Sequence, residues 1–539
     1  MTADTVQGER LRHRLAMGLG SVKPPLGLAV SGLVVASLAT LPIAYLAVRA
    51  LGADAGAIDL VLRPRTLQVL ASTVALALAV GIATALIGVP LAWLTTRTDL
   101  PLRRMWLVAT VVPLAIPSYV IAFALVAAFG PTGALQGALA PFGVGRLPSI
   151  YGLPGAALVL TLAGYPYVLL SARAALLRTD PAVEEAARAL GDSRSAVFRR
   201  VTLPLAGPAV AAGMLLAILY ALSDFGAVAI LQFDSFAREI YIQYRASLDR
   251  TVAAVLALML VGVTFLVASG EAHIRRRSRT PAHGSRRPPT VVSLGSLRWP
   301  SVVFCAGVVG VALVVPAGTI LFWLLRGLAQ GEPLRLVAGT AGNSLLAGSA
   351  SAVTAALLAL PVAFLIVRYP GRVATIVERL VYGAYALPGI AIALAVVFFV
   401  ARVTPLVYQS LLVLVLAYAV RFLPQATGTA RSSLLQIGPR LGEVARSLGQ
   451  GPLGVFRTVT LPLLRPGLVA GGALVFLTTV KELPMTLLLA PIGFDTLATQ
   501  IWSAATEGFY ARAAAPAAML LALSAGTVAV LLRAEDVGA

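Results

Sequence analysis

The chain has 539 residues, of which 59% are hydrophobic and only 12% are charged. Soluble domains carry roughly a quarter charged residues, so this composition excludes an ordinary soluble protein. A helix that spans a bilayer needs about 20 mostly apolar residues, and the chain therefore has room for roughly a dozen of them. We predict an all-α polytopic membrane protein.

Twelve apolar stretches bounded by charged residues predict about 12 transmembrane helices in two groups of six. The first six are Leu26 to Val48, Leu67 to Thr96, Met105 to Phe129, Ala156 to Leu177, Leu203 to Leu231 and Thr251 to Ala268. The second six are Val302 to Leu325, Ser344 to Val367, Ile376 to Val400, Leu406 to Thr429, Leu461 to Leu489 and Ala513 to Leu532. Between the groups, the polar and Arg-rich residues 271–299 are typical of a linker.

Basic residues are concentrated in alternate connecting segments. With the N-terminus in the cytoplasm, the inner segments hold 29 of the 42 Lys and Arg residues. Basic loops are retained in the cytoplasm, so we predict a multi-pass protein with both termini and the linker on that side. The net charge of +20 then faces anionic lipid heads, and a nucleic-acid partner is not expected.

The chain lacks residues that several kinds of chemistry require. Its only lysines, Lys23 and Lys481, do not follow a glycine, so the chain has no phosphate-binding P-loop and is not itself a P-loop ATPase. The sole cysteine, Cys305, lies in an apolar run and is typical of a small buried hydrophobe. The three histidines lie outside the predicted spans, so a metal held here would need oxygen ligands. We predict no resident cofactor and no enzyme activity.

The two groups of spans are also related in sequence. Residues 185–213 and 443–471 are identical at 16 of 29 positions when they are shifted by 258. The same shift pairs Pro166 with Pro424, whereas upstream of the outer loop around Pro131 to Tyr151 the shift is 271 and pairs Pro117 with Pro388. We predict a duplicated six-span unit, with residues 1–270 as the first half, 271–299 as the cytoplasmic linker and 300–539 as the second half. Since each half begins and ends on the same side, the two repeats are parallel.

The strongest motif lies in the loop after the fourth span of each half. Its first copy contains Glu185, Ala186, Ala187, Gly191, Phe198 and Pro204, and its second copy contains Glu443, Ala445, Gly449, Phe456 and Pro462. Both copies resemble the EAA loop of binding-protein-dependent ABC importer permeases. Val444 departs from the alanine usual at that position. The resemblance implies the type I ABC importer permease fold.

Each loop is expected to form a short helix from Pro181 or Pro439, with Glu184 and Glu185 near the positive end of the first one. A glycine then ends the helix, and a second short helix leads into the next span. An amphipathic helix of this kind can sit in a groove on a soluble partner. The resemblance implies that two copies of an ATPase subunit, which bind ATP and Mg²⁺, dock on these coupling loops. The alternative is an interfacial helix that only caps the bundle.

Acidic residues inside predicted spans are costly and indicate function. Asp224 and Glu482 occupy equivalent positions in the fifth and eleventh spans, and we expect them to line the translocation pathway. Pro117 and Pro388, in the third and ninth spans, free backbone carbonyls that could line a cavity or permit a kink. The alternative for the two acids is a structural role, for example a pairing of Glu482 with Lys481.

The details resemble the ferric-iron permeases, which fuse both halves in one chain. The segments that carry this resemblance are residues 480–502 and, more weakly, residues 233–244. It implies uptake of Fe³⁺ across the bacterial inner membrane, delivered by an extracytoplasmic binding protein. Thiamine permeases share the fused layout and are the nearest alternative. A secondary transporter also has 12 spans in two parallel halves, but it has no need of two matching cytoplasmic loops.

Overall fold

The computed structural model describes residues 24–51, 59, 61–131, 133–143, 147–246, 251–277, 291–332, 335–385 and 387–538. Within these ranges the chain forms helices and no strand, and the one extended pairing is an isolated parallel bridge between Thr98 and Val292. The prediction of an all-α fold is confirmed.

The helices of the first-half sequence are α1 (Leu26–Leu51), α2 (Pro64–Arg97), α3 (Arg103–Val111), α4 (Ser118–Phe129), α5 (Ala134–Leu139), α6 (Leu153–Arg178), α7 (Pro181–Ala189), α8 (Arg194–Val197), α9 (Leu203–Ser223), α10 (Gly226–Ile230), α11 (Phe236–Ala246) and α12 (Thr251–Arg277). The second-half helices are α13 (Arg298–Val309), α14 (Val315–Ala329), α15 (Arg335–Arg368), α16 (Arg372–Tyr385), α17 (Gly389–Val403), α18 (Leu411–Gln436), α19 (Pro439–Ser447), α20 (Pro452–Val455), α21 (Leu461–Val480), α22 (Pro484–Leu489), α23 (Leu497–Thr506) and α24 (Tyr510–Gly538).

The number of spans agrees with the sequence prediction. In the described part of the chain, 11 helices are long and apolar enough to cross a membrane. A bent pair, α16 and α17, meets the same test as one unit, which gives up to 12. The expected count of about 12 is therefore confirmed.

Four predicted spans are interrupted rather than continuous. The third is broken between Val111 and Ser118 by a 3₁₀ turn and Pro117, and the ninth bends by 108° before Gly389. Proline removes a backbone donor and disfavours helical geometry in the residue before it, which explains both breaks. The predicted spans Met105 to Phe129 and Ile376 to Val400 are thus interrupted at the two prolines where a kink was expected to be possible.

The fifth and eleventh spans end earlier than predicted. Helix α9 stops at Ser223 and α21 stops at Val480, and each is followed by a non-helical acidic residue and a separate short helix. The predicted ends at Leu231 and Leu489 included these short helices because their side chains are as apolar as the span itself. The acids that we assigned to span interiors lie at the breaks.

Contacts divide the chain into two compact units that do not follow the linear order of the halves. One unit contains Ala50–Val337 and Thr499–Leu521, and the other contains Met1–Arg49, Ala338–Ala498 and Ala522–Ala539. The first span, α1, therefore belongs to the unit built mainly from second-half residues. Helices α13 and α14, which open the second half, belong to the unit built mainly from first-half residues.

Close helix packing in each unit depends on small residues. In the first of these units α9 packs against α6, and a Cβ at Gly213 would lie 2.8 Å from Cα of Val168. In the other unit α21 packs against α18, and a Cβ at Gly471 would lie 3.1 Å from Cα of Ala426. Glycines that let backbones approach this closely are typical of transmembrane helix pairs. The repeat thus preserves one tight helix pair in each half.

Candidate functional site

The first coupling loop begins with helix α7. Pro181 occupies its first turn, and the Asp180 carboxylate accepts the Ala182 N–H at 3.0 Å as an N-cap. At the other end Gly191 has a φ of +96°, and the N–H of Asp192 donates to the carbonyl of Ala187 at 3.1 Å. A left-handed glycine with this bond is the Schellman helix end. Gly191 therefore ends the helix, as the sequence predicts.

The second coupling loop repeats this geometry. Helix α19 also starts at a proline, Pro439, and Gly449 follows it with a φ of +85°. The N–H of Gln450 donates to the carbonyl of Ala445 at 3.1 Å, which is the same helix-ending bond. Both loops therefore form a short helix closed by a left-handed glycine.

The segment after each glycine joins the next span without a break. In the first half, α8 passes through a π-helical turn, Phe198–Thr202, directly into α9. The second half has the same turn at Phe456–Thr460, before α21. The second short helix of each loop therefore leads into the next span, as expected. Pro204 and Pro462 lie in the first turns of α9 and α21, directly after the π-helical turn.

The aromatic anchors of the two loops pack on equivalent partners. The Phe198 ring lies edge-on against Trp93, with 5.5 Å between centroids, and the Phe456 ring lies 5.8 Å from Phe364. Trp93 and Phe364 correspond to each other at the shift of 271. These contacts attach each loop to the second span of its own repeat.

The exposed face of each coupling loop combines acidic and apolar side chains. Glu185, Ala186 and Glu443 are exposed, whereas Ala187 is half-buried and Ala445 is buried. Beside the helix-ending glycines, Leu190 is 89% exposed and Leu448 is 79% exposed. An exposed leucine is ordinary by itself, but the repeat places one at the same position of both loops. We did not single out these leucines from the sequence, although their pairing at the shift of 258 was visible there.

Glu184 points away from this face. Its side chain is buried and accepts hydrogen bonds from the Arg97 guanidinium and from the Thr202 hydroxyl, the latter at 2.9 Å. The sequence placed Glu184 and Glu185 together near the helix start. The structure separates their roles, with Glu185 exposed and Glu184 in an internal ion pair.

The predicted pathway residues of the first half lie together. The Ser118 hydroxyl, which follows Pro117 at the start of α4, donates to the Asp224 carboxylate. The same carboxylate accepts the Ala227 N–H at 2.9 Å. Asp224 is therefore held at the break after α9 and beside the positive end of α4, where a negative charge is favoured.

The second-half residues form the equivalent cluster with different chemistry. Glu482 accepts a hydrogen bond from the Arg421 guanidinium at 3.1 Å, and both side chains are largely buried. Gly389, after Pro388, leaves room for this pair, because a Cβ there would overlap the guanidinium and lie 2.8 Å from Glu482 Oε1. The suggested pairing of Glu482 with Lys481 is not the ion pair observed.

The two clusters both lie at a helix break, but the side chains around the two acids differ. Arg421 corresponds to Ala163 in the first half, so the repeat gave no signal for it. Near Asp224 the rings of Tyr167 and Tyr220 lie 5.8 Å apart, and the equivalent residues Gln425 and Thr478 are hydrogen bonded at 3.2 Å. Among the described residues, no group of three or more His, Cys, Asp or Glu side chains could hold a metal ion.

Comparison with known proteins places this arrangement in a family. The profile of the family described as "Binding-protein-dependent transport system inner membrane component" matches the chain twice, at residues 88–280 and 352–534. The Fe(3+)-transport system permease protein FbpB 2 of Haemophilus influenzae is 31% identical over 520 residues, which are 95% of this chain and 98% of that protein.

Other relatives carry different names. The ferric transport system permease protein FbpB of Actinobacillus pleuropneumoniae is 23% identical, over 82% of this chain and 67% of its own length. The sulfate transport system permease protein CysT of Salmonella typhimurium is 31% identical, over 32% of this chain and 60% of its own length. The family profile covers both halves and the relatives are permeases. The chain therefore belongs to the family of binding-protein-dependent transport system inner membrane components, as a fused permease with two halves of the type I ABC importer fold.

Proposed function

We propose that this chain is the permease subunit of an ABC importer and forms the pathway for ferric iron delivered by an extracytoplasmic binding protein. The observation that carries this proposal is the pair of coupling loops with one geometry and one exposed leucine each. The likeness to ferric permeases along nearly the whole chain supports iron as the cargo.

The energy comes from ATP hydrolysis on two copies of a separate ATPase subunit, which bind ATP and Mg²⁺. Each ATPase receives one coupling loop in a groove, with Leu190 or Leu448 as the apolar contact and Glu185 or Glu443 as the polar one. The chain supplies no cofactor of its own. In the bacterial inner membrane both termini and both loops face the cytoplasm, which agrees with the distribution of Lys and Arg.

Transport proceeds by alternating access. ATP binding draws the two ATPases together, and the coupling loops move with them. Because α8 passes into α9, and α20 into α21, without a break, displacement of a loop is transmitted to a span. Those spans end at Asp224 and at Lys481 beside Glu482, so the motion reaches the residues assigned to the pathway. Hydrolysis then returns the spans to the inward-open state.

Import of an oxyanion is the second candidate for the cargo. The buried Arg421 beside Gly389 favours it, because a guanidinium is a good partner for sulfate or molybdate. A relative named as a sulfate permease matches about a third of the chain. Ferric iron remains our proposal because Glu482 already neutralises Arg421, and because the Asp224 cluster presents carboxylate and hydroxyl oxygens suited to a hard cation.

The test is ATPase stimulation in lipid nanodiscs that contain the chain with its cognate ATPase and binding protein. The binding protein is added empty or loaded with Fe³⁺, sulfate, molybdate or thiamine. We expect stimulation by the ferric-loaded form alone. Stimulation by the binding protein loaded with an oxyanion or thiamine alone would support the permease role but contradict ferric iron as the cargo. A chain that recruits no ATPase would overturn the proposed function and return attention to a secondary transporter.

A further inference from the structure

The two coupling loops share one backbone geometry but are anchored differently. In the first half the Glu184 side chain, from the first turn of α7, pairs with Arg97 at the end of α2 and accepts a hydrogen bond from Thr202, the last residue of the π-helical turn before α9. Glu184 and Arg97 are only 6% and 2% exposed. Charges buried this deeply are tolerated only when they are paired, and breaking such a pair is strongly destabilising. We call Arg97, Glu184 and Thr202 the first-loop anchor.

The second half lacks this anchor. Glu184 corresponds to Gly442 at the shift of 258, and Arg97 corresponds to Arg368 at the shift of 271. The Arg368 guanidinium donates instead to the carbonyl of Ile437, at 2.9 Å, before α19 begins. Within the ranges the structure describes, no ion pair joins α19 to α15. Among the described residues, the second loop is therefore attached to α15 by this side-chain-to-backbone hydrogen bond rather than by an ion pair.

The end of the linker is attached at the same point as the first-loop anchor. The carbonyl of Arg97 accepts the Val292 N–H at 2.7 Å, and the Asp99 N–H donates to the carbonyl of Val292 at 3.2 Å. The Asp99 carboxylate also accepts the Leu294 N–H at 2.8 Å, and this bond lowers the pKa of the Asp99 carboxyl. The residue that pairs with Glu184 thus also holds the chain segment that leads into the second half.

We propose that Arg97 and Glu184 are positioning residues that fix the first coupling loop to α2 and to the end of the linker, and that the two loops are therefore mechanically unequal. The first loop moves as one body with the end of α2, whereas the second loop bends more freely. The first-loop anchor lies within this chain and needs no partner protein. Its effect on transport rests on the proposed function.

The first measurement needs only the purified chain in lipid nanodiscs. Hydrogen exchange compares the backbone amides of residues 181–192 with those of residues 439–450, which end in the same Schellman geometry. We expect the first loop to exchange about tenfold more slowly than the second, since an anchored helix opens less often. Equal exchange of the two loops would overturn the proposal.

Variants then test whether the ion pair is the cause. Arg97→Met together with Glu184→Leu removes both charges at once, which costs less than leaving one charge alone. We expect exchange of the first loop to rise to the level of the second. The matched variant in the other half, Arg368→Met, is expected to change exchange of the second loop by less than about twofold. A double variant with unchanged exchange would contradict the anchor.

A variant that adds an ion pair to the second loop tests the proposal even if the double variant fails to fold. A Cβ at Gly442 would meet only Cγ1 of Val455, at 3.5 Å, so Gly442→Glu can be accommodated and offers Arg368 a partner. Gly442→Ala controls for the better helix propensity of a non-glycine residue. We expect slower exchange of the second loop in Gly442→Glu than in Gly442→Ala. Equal exchange in these two variants would refute the charge explanation.

The second readout is coupling in the assembled importer. In the double variant at Arg97 and Glu184, we expect loaded binding protein to stimulate ATPase activity about fivefold less than in the unmodified chain. Basal ATPase activity should be nearly unchanged. Arg368→Met should retain nearly full stimulation. An equal loss of stimulation in the double variant and in Arg368→Met would contradict the proposal that the two loops couple unequally. If the unmodified chain is not stimulated by any loaded binding protein, the proposed function fails, and the exchange result still decides the anchor.

Discussion

At the scale of single residues, the two glycines that end the coupling helices are determined by backbone geometry. Gly191 and Gly449 have φ values of +96° and +85°, and nothing lies within 4 Å of a Cβ built on either. A side chain there would meet open space, so the constraint is the left-handed conformation itself, which costs other residues roughly 1–2 kcal/mol.

Replacement of both glycines by proline gives the first prediction. Proline fixes φ near −65° and removes the glycine N–H, which donates to the carbonyl of Arg188 or Arg446 at 3.0 Å, so both loop ends must rearrange. We expect Gly191→Pro with Gly449→Pro to insert normally and to lose most solute-stimulated ATPase activity, measured in nanodiscs. Gly207→Ala, in open space on α9, serves as the control. Normal uptake by the double proline variant would refute the coupling assignment.

The acidic residues at the two breaks differ in their need for a charge. Glu482→Gln leaves the buried Arg421 without a charged partner, a loss that typically costs about 3–5 kcal/mol. Asp224→Asn keeps oxygen and nitrogen atoms that can bond to Ser118 and to the Ala227 N–H. We therefore expect Glu482→Gln to lower the thermal unfolding temperature more than Asp224→Asn does. Thermal unfolding of both variants in the same lipid checks this order, and the reverse order would contradict the ion pair.

The same two clusters show what could be predicted at residue scale. Asp224, Glu482, Pro117 and Pro388 were found because the repeat aligns them and because acids are rare in apolar spans. Arg421 was missed because its counterpart is Ala163. Glu184 and Glu185 were treated alike because adjacent residues share a sequence context, and only three-dimensional packing shows which of them faces inward.

At the scale of helices, hydropathy located the spans but not their breaks. An average over about 19 residues responds to apolar content, and α10 and α22 are as apolar as the spans that they follow. The backbone interruptions at Pro117, Pro388, Asp224 and Glu482 leave that average almost unchanged. The number of spans was therefore predictable, and the prolines indicated where the third and ninth could bend. The breaks at Asp224 and Glu482 required the arrangement of backbone hydrogen bonds.

Helix packing provides a prediction with a neighbouring control. A Cβ at Gly471 would lie 3.1 Å from Cα of Ala426, whereas a Cβ at Gly472 would meet only the Ala352 Cβ, at 4.0 Å. We expect Gly471→Val to destabilise the chain by about 1–3 kcal/mol through overpacking. Gly472→Val should have a much smaller effect. Thermal unfolding of both variants measures the difference, and equal stability would show that α18 and α21 can separate without cost.

At the scale of the whole molecule, both coupling loops present an unpartnered leucine beside an exposed acid. We expect Leu190→Asp with Leu448→Asp to abolish co-purification of the ATPase, because a buried unpaired carboxylate is costly at an interface. The variant chain should remain monodisperse in detergent, since both leucines are exposed. Leu406→Asp, at a residue that is fully exposed and lies outside the loops, is the control. Retention of the ATPase by the double variant would place docking elsewhere.

The membership of the first span has a consequence for biogenesis. Helix α1 packs within a unit whose other members are second-half residues: Tyr45 stacks edge-on against Phe399, and Arg49 lies 4.0 Å from the Phe398 ring centroid. These partners follow in sequence by roughly 350 residues, which take tens of seconds to translate at about 5–20 residues per second. Helix α1 therefore lacks these partners until the ninth predicted span has been synthesised. Truncated nascent chains should expose it to quality-control proteases.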